Sequence, residues 1–284
     1  MKILVTGCNG QLGHAMQEIS TYLSEWTWKF TDLPELDITN PEQVNQTVKN
    51  FQPDWIINAA AYTDVDGAET NQELAFRVNA EGPHNLAKAV IEANAKLVHI
   101  STDYVFDGTK NEPYTETDQP NPLQVYGKSK LEGETLIQET GVPGIIIRTS
   151  WLYGSHGNNF VKTILRLADE KDEIQVVDDQ IGSPTYVGDL AEAILELLSK
   201  HTFHHLELLH YSNEGGISWY EFAEKINLLC SLGCTIKLIS SETLKQKAIR
   251  PSFTKLDVSQ IKKFQLIIQQ WDDSLALFLN EKKF

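Results

Sequence analysis

A tyrosine and a lysine stand four positions apart in the segment Tyr126-Gly127-Lys128-Ser129-Lys130. On a helix, this spacing puts Tyr126 and Lys130 on one face. A phenol alone has a pKa of about 10, and a neighbouring ammonium favours the phenolate and lowers that pKa. The pair therefore predicts a group that exchanges a proton with a substrate oxygen near neutral pH. Lys130 can also bond the ribose of a nicotinamide cofactor.

A hydroxyl group completes this pattern. Ser101-Thr102-Asp103-Tyr104 directly follows the apolar run that begins at Leu97. Thr102 can donate a hydrogen bond to the substrate oxygen and hold it beside Tyr126. We predict that Thr102, Tyr126 and Lys130 form the catalytic group.

Three glycines at three-residue spacing, Gly7, Gly10 and Gly13, follow the first apolar run. Gly7 allows a tight turn, Gly10 lets a pyrophosphate approach the backbone, and Gly13 lets helix and strand pack closely. The helix that begins here offers free N–H groups and partial positive charge to phosphates. The pattern predicts a dinucleotide site.

Further cofactor contacts are expected after the second and third strands. Asp32 is placed to bond the adenosine ribose, although Pro34 soon afterwards also suits a simple turn. A carboxylate there repels a 2′-phosphate and favours NADH over NADPH, an inference that the nearby Lys29 weakens. Asp37-Ile38 is a candidate adenine contact. The small residues of segment 58–63 let a cofactor lie against the backbone.

Short β-rich runs alternate with helical stretches through the first half of the chain. This alternation predicts a Rossmann-type, doubly wound parallel sheet with helices on both faces, in an α/β fold. The strands are continuous apolar runs, as expected when both faces are buried. In such sheets the ligand lies beyond the carboxyl ends of the strands, where the polar residues described above converge.

The second half is less regular and predicts a smaller, interwoven substrate-binding lobe. We expect residues 1–150 to form the dinucleotide-binding domain, with returning segments near 172–200 and 233–257. Residues 151–284 mainly form the lobe. Lys200–His210 is predicted to be a helix end and loop. Ser218 and Glu221 predict a capping box at the start of a helix.

Composition excludes several functions. The net charge of -15 repels nucleic acid and anionic membranes. No run approaches the ~20 apolar residues of a membrane span, and the N-terminal apolar run is too short for a signal peptide, so a cytoplasmic protein is expected. Three cysteines suit a reducing compartment. Two groups contain residue types that bind metals, and neither is predicted to form a metal site. These groups are Cys230 with Cys234, and His201 with His204 and His205.

The chain resembles the dTDP-4-dehydrorhamnose reductases, a family of extended short-chain dehydrogenases. The resemblance covers nearly the whole chain in order. It implies reduction of the C4 ketone of dTDP-4-dehydro-β-L-rhamnose to dTDP-L-rhamnose with NADPH or NADH. Beyond the glycine turn and residues 58–63 and 126–130, it is carried by segments 101–108 (STDYVFDG), 148–151 (RTSW), 157–160 (GNNF), 179–185 (DQIGSPT), 218–219 (SW) and 250–252 (RPS).

The resemblance also implies roles for individual residues. The implied cofactor contacts are Gly10, Gln11, Leu12, Ala61, Tyr62, Thr63, Tyr126 and Lys130. The implied substrate contacts are Thr102, Asp103 and Trp151, and candidates for the substrate diphosphate are Lys162, Arg166 and Arg250. Magnesium-dependent dimers of this family place a carboxylate near the start of the first helix, where this chain has His14-Ala15-Met16. Neither that metal nor that dimer is predicted, and monomer and homodimer both remain open.

Three other functions are compatible with the same fold: dehydratase, epimerase and non-catalytic regulatory subunit. Dehydratases of this fold usually carry Asp-Glu after the catalytic threonine, whereas here Asp103-Tyr104 follows Thr102. Epimerases regenerate a bound NAD in every turnover, so net consumption of reduced cofactor excludes them. A non-catalytic regulatory subunit that shares the fold is a third alternative, and the intact Thr102, Tyr126 and Lys130 argue against it.

Overall fold

The computed structural model describes residues 1–244 and 246–282. Its centre is a sheet of six strands, and each neighbouring pair is parallel. The strands are β1 (Lys2–Thr6), β2 (Thr27–Thr31), β3 (Trp55–Asn58), β4 (Lys96–Thr102), β5 (Gly144–Thr149) and β10 (Leu206–His210). Their order in space is β10-β5-β4-β3-β1-β2. The direction of winding reverses beside β1, and such switch points are where α/β sheets bind ligands.

Helices cover both faces of this sheet, as predicted. The helices that flank it are α1 (Gln11–Ser20), α2 (Pro41–Phe51), α5 (Gly82–Glu92), α6 (Val125–Thr140) and α8 (Val187–Lys200). Ile3 and Val5 of β1 pack with α1 and α8 in one hydrophobic core, whereas Leu4 packs with α2, α5 and α6 in another. Side chains alternate across a strand, so a strand buried on both faces needs an unbroken apolar run.

Short elements complete the first half. α3 (Val65–Ala68) and α4 (Gln72–Phe76) precede a π-helical turn over Arg77–Glu81, which leads directly into α5. The helical stretch from Gln72 to Glu92 therefore contains one π-helical turn. Turns of this kind are rare, and they occur mostly beside functional sites.

Most of the remaining elements form a third hydrophobic core of their own. Three small sheets pair β6 (Leu152–Tyr153) with β9 (Thr185–Tyr186), β7 (Glu173–Val177) with β12 (Thr235–Ile239), and β8 (Ile181–Gly182) with β11 (Ile217–Ser218). The helices here are α7 (Phe160–Glu170), α9 (Trp219–Cys230) and α11 (Trp271–Lys282). The short helix α10 (Ser259–Lys262) instead buries Ile261 in the core that contains α1 and α8. The capping box that begins α9 is present: Glu221 N–H donates to Ser218 Oγ at 3.1 Å, and Ser218 N–H donates to the Glu221 carboxylate at 2.8 Å.

The prediction of a loop up to His210 was wrong, because Leu206–His210 is the sixth strand of the central sheet. Its apolar run is interrupted by Glu207 and ends at His210, as an edge strand paired on one side allows. Of the segments expected to return to the first half, α8 packs against α1, whereas β7 and β12 pair with each other outside the central sheet.

A buried ion pair joins helix α6 to strand β5 beneath the carboxyl edge of the sheet. Arg148 Nη2 lies 2.6 Å from Glu134 Oε2, and the two side chains are 3% and 1% exposed. Arg148 Nε also donates to Glu134 Oε1 at 2.9 Å, and Ser101 Oγ donates to the same oxygen. Because Ser101 directly precedes Thr102, this pair fixes the end of β4.

Replacing Glu134 by Gln should destabilise the fold strongly. The change leaves the Arg148 guanidinium buried without a counter-charge, which typically costs about 3–5 kcal/mol. Urea unfolding measures the loss. Glu132→Gln on the exposed side of the same helix is the matched control and should change stability by less than about 0.5 kcal/mol. Equal effects of the two variants would contradict the assigned role of the ion pair.

Candidate active site

The carboxyl ends of strands β1, β3, β4 and β5 open into a cleft of about 500 Å³. Ten of the residues predicted from the sequence line it: Gly10, Gln11, Leu12, Ala61, Thr63, Thr102, Asp103, Tyr126, Lys130 and Trp151. Six predicted residues lie outside this lining: Gly7, Gly13, Asp32, Asp37, Ile38 and Tyr62. The cleft also takes in residues that were not predicted as contacts, among them Ala59, Ile100, Thr149, Ser150, Leu152, Gly157 and Asn158.

The glycine turn presents the start of α1 to this cleft. Gly7 has φ +70, and a Cβ there would lie 2.5 Å from the Ala60 nitrogen. A Cβ on Gly13 would lie 2.4 Å from the Gly7 carbonyl, so this glycine allows helix and strand to touch. Gly10 is the N-cap, with no side-chain cap and no acidic residue in the first turn. The first N–H groups of the helix are therefore available to an anion.

Gln11 ties this turn to β6 and to the start of α7. Its Nε2 donates to the carbonyl of Leu152 at 3.3 Å, and its Oε1 accepts from Asn159 Nδ2 at 3.0 Å. Asn159 also caps α7 by accepting from the Lys162 N–H at 3.1 Å. One glutamine thus holds the glycine turn against the lobe.

Thr102 and Asp103 stand together at the end of β4. Thr102 Oγ1 lies 3.1 Å from Asp103 Oδ1 and accepts from the Tyr104 N–H at 3.1 Å. Asp103 is 3% exposed, and its Oδ2 is buried without a hydrogen-bond partner among the described residues. Burial raises the pKa of Asp103 to about 7, while the hydroxyls of Thr102 and Thr254 oppose the rise. A neutral carboxylic acid can donate a hydrogen bond into the cleft.

Tyr126 and Lys130 lie one turn apart on α6, and both line the cleft, as predicted. The prediction that Lys130 lowers the pKa of Tyr126 was wrong. Burial raises the pKa of Tyr126 to about 12, although a hydrogen bond with the Thr102 side chain works against it. Spacing placed the pair correctly, but desolvation dominates the proton equilibrium. Tyr126 is consequently a protonated phenol at neutral pH.

Lys130 is 1% exposed. Its Nζ donates to the Ile100 carbonyl at 2.6 Å and lies 3.4 Å from His99 Nε2. Burial lowers the pKa of Lys130 to about 8, and the charge of Glu134 opposes that change.

Two residues of this neighbourhood, Asn58 and His99, had no predicted role as hydrogen-bond partners. Asn58 Nδ2 lies 3.0 Å from His99 Nδ1, and Thr6 Oγ1 donates to Asn58 Oδ1 at 2.8 Å. Both residues sit inside strands that look like ordinary buried runs. The available signal was a polar side chain at a strand position where both faces are buried.

The segment Ala61-Tyr62-Thr63 is held by the π-helical turn. Asn79 Oδ1 accepts from the Tyr62 N–H at 2.8 Å, and Asn79 Nδ2 donates to the Tyr62 carbonyl at 3.0 Å. The same Nδ2 donates to Ser129 Oγ at 3.0 Å. Asn79 therefore connects the predicted cofactor segment to the helix that carries Tyr126.

Asp32 lies at the end of β2, beside the glycine turn. Its carboxylate accepts from the Asn9 N–H at 2.9 Å and from the Leu33 N–H at 2.8 Å. Lys29, whose nearness in sequence weakened the cofactor inference, instead lies 5.9 Å from the ring centroid of Phe51. Its ammonium is thus directed to the end of α2.

Asp37 and Ile38 serve local structure. Asp37 Oδ1 accepts from the N–H and the hydroxyl of Thr39 at 2.9 and 2.8 Å. Ile38 is 5% exposed and fills the space over Gly82, where a Cβ would lie 2.7 Å from its Cδ1. The adenine contact expected at these two residues stays a prediction.

Trp151 forms the wall of the cleft on the side of the lobe. Its indole stacks on Trp219 with ring centroids 3.4 Å apart and planes 8° from parallel. Its backbone has φ +47, a region that non-glycine residues rarely adopt. A Cβ on Gly182 would lie 2.6 Å from the indole, so a small residue is needed there. Strained backbones of this kind cluster at functional sites.

The three candidate phosphate ligands already have partners. Lys162 Nζ donates to the Gly157 carbonyl at 2.7 Å, close to the cleft. Arg166 pairs with Glu170 at 3.0 Å and is largely exposed. Arg250 Nη2 pairs with Asp66 at 2.9 Å, which neutralises its charge locally.

Near the start of α1, the rings of His14 and His156 stack with centroids 3.8 Å apart. Within the ranges 1–244 and 246–282, no group of three or more His, Cys, Asp or Glu residues is placed to hold a metal ion. The same ranges contain no helix that is both long and apolar enough to cross a membrane.

Comparison with known proteins agrees with this geometry. The model of the RmlD substrate binding domain family matches residues 1–284. The chain belongs to that family. A dTDP-4-dehydrorhamnose reductase of Aggregatibacter actinomycetemcomitans is 46% identical over 225 residues, which cover 78% of this chain and 76% of the relative. The spore coat polysaccharide biosynthesis protein SpsK of Bacillus subtilis is 40% identical, with 99% of this chain and 98% of the relative covered.

A solved structure gives the same result. The dTDP-4-dehydrorhamnose reductase of Bacillus anthracis, in complex with NADP, superposes with a TM-score of 0.94 and 43% identity. The alignment covers 99% of each chain. The protein is thus an oxidoreductase-type Rossmann protein of this family, and the cleft described above lies in the region that the family shares.

Two glycine variants separate cofactor binding from packing. Gly10→Ala should keep the melting temperature within a few degrees, because a Cβ there meets only the Gly7 carbonyl at 3.3 Å. It should weaken NADPH binding by about tenfold or more, since the methyl group stands where a phosphate approaches the helix end. Thermal melts and a fluorescence titration with NADPH measure the two effects.

Gly13→Ala is the matched comparison. Its Cβ would clash with the backbone at 2.4 Å, so it should lose about 1–3 kcal/mol of stability. Unchanged NADPH affinity in Gly10→Ala would show that the anion does not bind at this turn.

Asp103→Asn should raise stability at alkaline pH. The folded-state pKa of Asp103 is about 7, above the value of about 3.9 in an unfolded chain. Between these values the folded protein binds more protons than the unfolded chain, so stability falls as the pH rises through this window. Asn removes that loss, and melting temperatures should show a gain at pH 8 that shrinks towards pH 5.

Asp107→Asn provides the control with the opposite sign. Hydrogen bonds from Asn121 and Thr109 lower the pKa of Asp107 to about 2. Its carboxylate stabilises the fold above pH 4 and loses that contribution as the pH falls towards 2. This variant should be less stable than the parent at pH 8, and two variants that respond alike to pH would contradict the assignment.

Proposed function

We propose that the protein reduces the C4 ketone of dTDP-4-dehydro-β-L-rhamnose to dTDP-L-rhamnose with NADPH or NADH. The observation that carries the proposal is the meeting of Thr102, Tyr126 and Lys130 in one cleft with the uncapped start of α1. Relatives named as this reductase, and one solved with NADP, support it.

The residues present suit a nicotinamide dinucleotide. Gly10, Gln11 and Leu12 offer backbone N–H groups at a helix start, and Ala61 and Thr63 leave room along the cleft wall. When bound, the cofactor supplies the hydride. We assign Asp32 to the adenosine ribose beyond the glycine turn. Burial, together with the charges of Asp32 and Glu35, raises the pKa of the nearby Cys8.

Tyr126 acts as the general acid in this proposal. Because its pKa is about 12, the phenol carries its proton at neutral pH and gives it to the ketone oxygen as negative charge develops there. Thr102 positions that oxygen through its hydroxyl. Lys130 directs an N–H group into the cleft, towards the place where a ribose hydroxyl would lie.

Substrate recognition is assigned to Asp103 and Trp151. Asp103 has an unpaired buried oxygen beside Thr102, and Trp151 presents an indole face that its stacking on Trp219 holds rigid. A flat aromatic surface covers the apolar face of a sugar, and a neutral carboxylic acid bonds its hydroxyl groups. Both residues line the same cleft as Gly10, so we assign the substrate to the part of the cleft beside the nicotinamide.

We also propose the domain organisation, the partners and the compartment of the protein. Residues 1–150, with α8 and β10, form the cofactor-binding part, and most of residues 151–284 form the substrate lobe. The net charge of -15 disfavours nucleic acid as a partner. The free state of the three cysteines suits the reducing cytoplasm. A monomer or a homodimer is compatible with this arrangement.

Tyr126→Phe should lower kcat by about 10²–10⁴, the usual contribution of a general acid. The assay follows oxidation of NADPH and of NADH with dTDP-4-dehydrorhamnose as substrate. NADPH affinity should change little, because the ring stays in place and only the hydroxyl is lost.

Tyr104→Phe is the control, since this neighbouring ring contacts Tyr126 edge-on at 6.1 Å and does not line the cleft. It should keep most of the activity. Full activity in Tyr126→Phe would remove this residue from the mechanism. NADPH binding without any turnover by the parent protein would favour a regulatory binding function, and a panel of UDP- and GDP-linked 4-ketosugars tests the nucleotide.

A further inference from the structure

A chain of four buried polar side chains runs beneath the cleft and ends at Lys130. It starts at Thr6 on β1, continues through Asn58 on β3 and His99 on β4, and reaches α6. The exposed fractions of Thr6, Asn58, His99 and Lys130 are 1%, 1%, 0% and 1%. These side chains are almost completely buried, so their hydrogens need protein acceptors except where Lys130 borders the cleft.

The orientation of the Asn58 amide is fixed by a backbone donor. The Ala60 N–H, which can only donate, points at Asn58 Oδ1 at 3.2 Å, and the Thr6 hydroxyl points at the same oxygen at 2.8 Å. Asn58 Nδ2 therefore faces His99 Nδ1 at 3.0 Å. An amide nitrogen donates and does not accept, so His99 Nδ1 must be the acceptor.

This contact determines the tautomer of His99. A ring nitrogen that accepts a hydrogen bond carries no proton, and a neutral imidazole then has its proton on Nε2. Burial and the nearby Lys130 hold the pKa of His99 well below its usual value, so the ring is neutral. The Nε2–H group faces Lys130 Nζ at 3.4 Å.

The numbers of donors and acceptors then show which form of Lys130 fits this contact better, the ammonium or the uncharged amine. An ammonium has three donors and no acceptor, and it would set one N–H against the His99 N–H. An uncharged amine has two N–H groups and one lone pair. One N–H bonds the Ile100 carbonyl at 2.6 Å, the lone pair accepts from His99, and the other N–H remains for the cleft.

We infer that His99 is a positioning residue that donates its Nε2–H to the lone pair of the uncharged Lys130 amine and thereby weakens proton binding by this lysine. The proton positions follow from the hydrogen-bond geometry alone. Their consequence for catalysis rests on the proposed reductase function.

The other groups around Lys130 are consistent with weak proton binding by this lysine. Glu134, one turn further along α6, favours the ammonium, but its carboxylate is paired with Arg148 at 2.6 Å. Tyr126 is a protonated phenol, and Asp103 takes a proton near pH 7.

Nitrogen NMR of the ¹⁵N-labelled full-length protein without cofactor tests the inference. His99 should show a bare Nδ1 and a protonated Nε2 between pH 6 and pH 9. Lys130 Nζ should lose its proton at least 100-fold more readily than a free lysine, whose pKa is about 10.4. Lys130→Met and His99→Gln assign the two signals by their disappearance.

Two variants probe the mechanism from different directions. His99→Gln can turn its amide oxygen towards Lys130, so the lysine should hold its proton about tenfold more tightly. Asn58→Asp presents only acceptors to His99, which should move the ring proton to Nδ1 and strengthen proton binding by Lys130 similarly or more. His84→Gln, at a half-buried site on α5, is the control and should change neither signal.

The outcomes separate this inference from the proposed function. A protonated Nδ1 on His99 in the parent protein, or a Lys130 ammonium that persists to pH 10, overturns the inference whatever the activity. The expected spectra in a protein without reductase activity would reject the proposed function alone. In an active protein, His99→Gln should shift the alkaline limb of kcat/KM by the same tenfold, whereas a purely structural role would lower it equally at every pH.

Discussion

The desolvation of Lys130 is the constraint on which the site depends. An ammonium taken out of water costs several kcal/mol unless its charge and its donors are matched. Lys130 is 1% exposed, and its neighbours are a backbone carbonyl, a neutral imidazole and a carboxylate already paired with Arg148. The same dry surroundings raise the pKa of Tyr126 to about 12. Burial therefore keeps the Tyr126 phenol protonated and at the same time weakens proton binding by Lys130.

The parallel sheet makes this arrangement possible. Strands β1, β3 and β4 end at one edge, so single side chains from each meet although they are far apart in sequence. The chain is strongly acidic, with a net charge of -15, and its proposed ligands are anionic as well. Local donors must therefore overcome the overall field, and the uncapped start of α1 provides them without adding a charged side chain. Small residues opposite that helix start leave the backbone accessible.

Sequence patterns predicted what depends on local order. Apolar runs and glycine spacing predicted the strands, the first turn and the edge at which Tyr126 and Lys130 meet. They did not predict the pKa of Tyr126, because spacing carries no information on burial. Leu206–His210 was missed because an edge strand beside three histidines lacks an unbroken apolar run. The stacking of Trp151 on Trp219, and the partners of Asn58 and His99, depend on tertiary contacts that no local pattern encodes.

The places where local rules fail are themselves informative. Trp151 adopts a positive φ, Asp103 keeps an unpaired buried oxygen, and Lys130 is buried, yet all three line one cleft. Each feature costs stability, and scattered defects would not gather at one edge of a sheet. The surrounding structure offsets the cost through two apolar cores on the faces of the sheet and the ion pair beneath β4. Function therefore explains this concentration better than packing does, because a sequence selected only for stability would have replaced these groups with apolar ones.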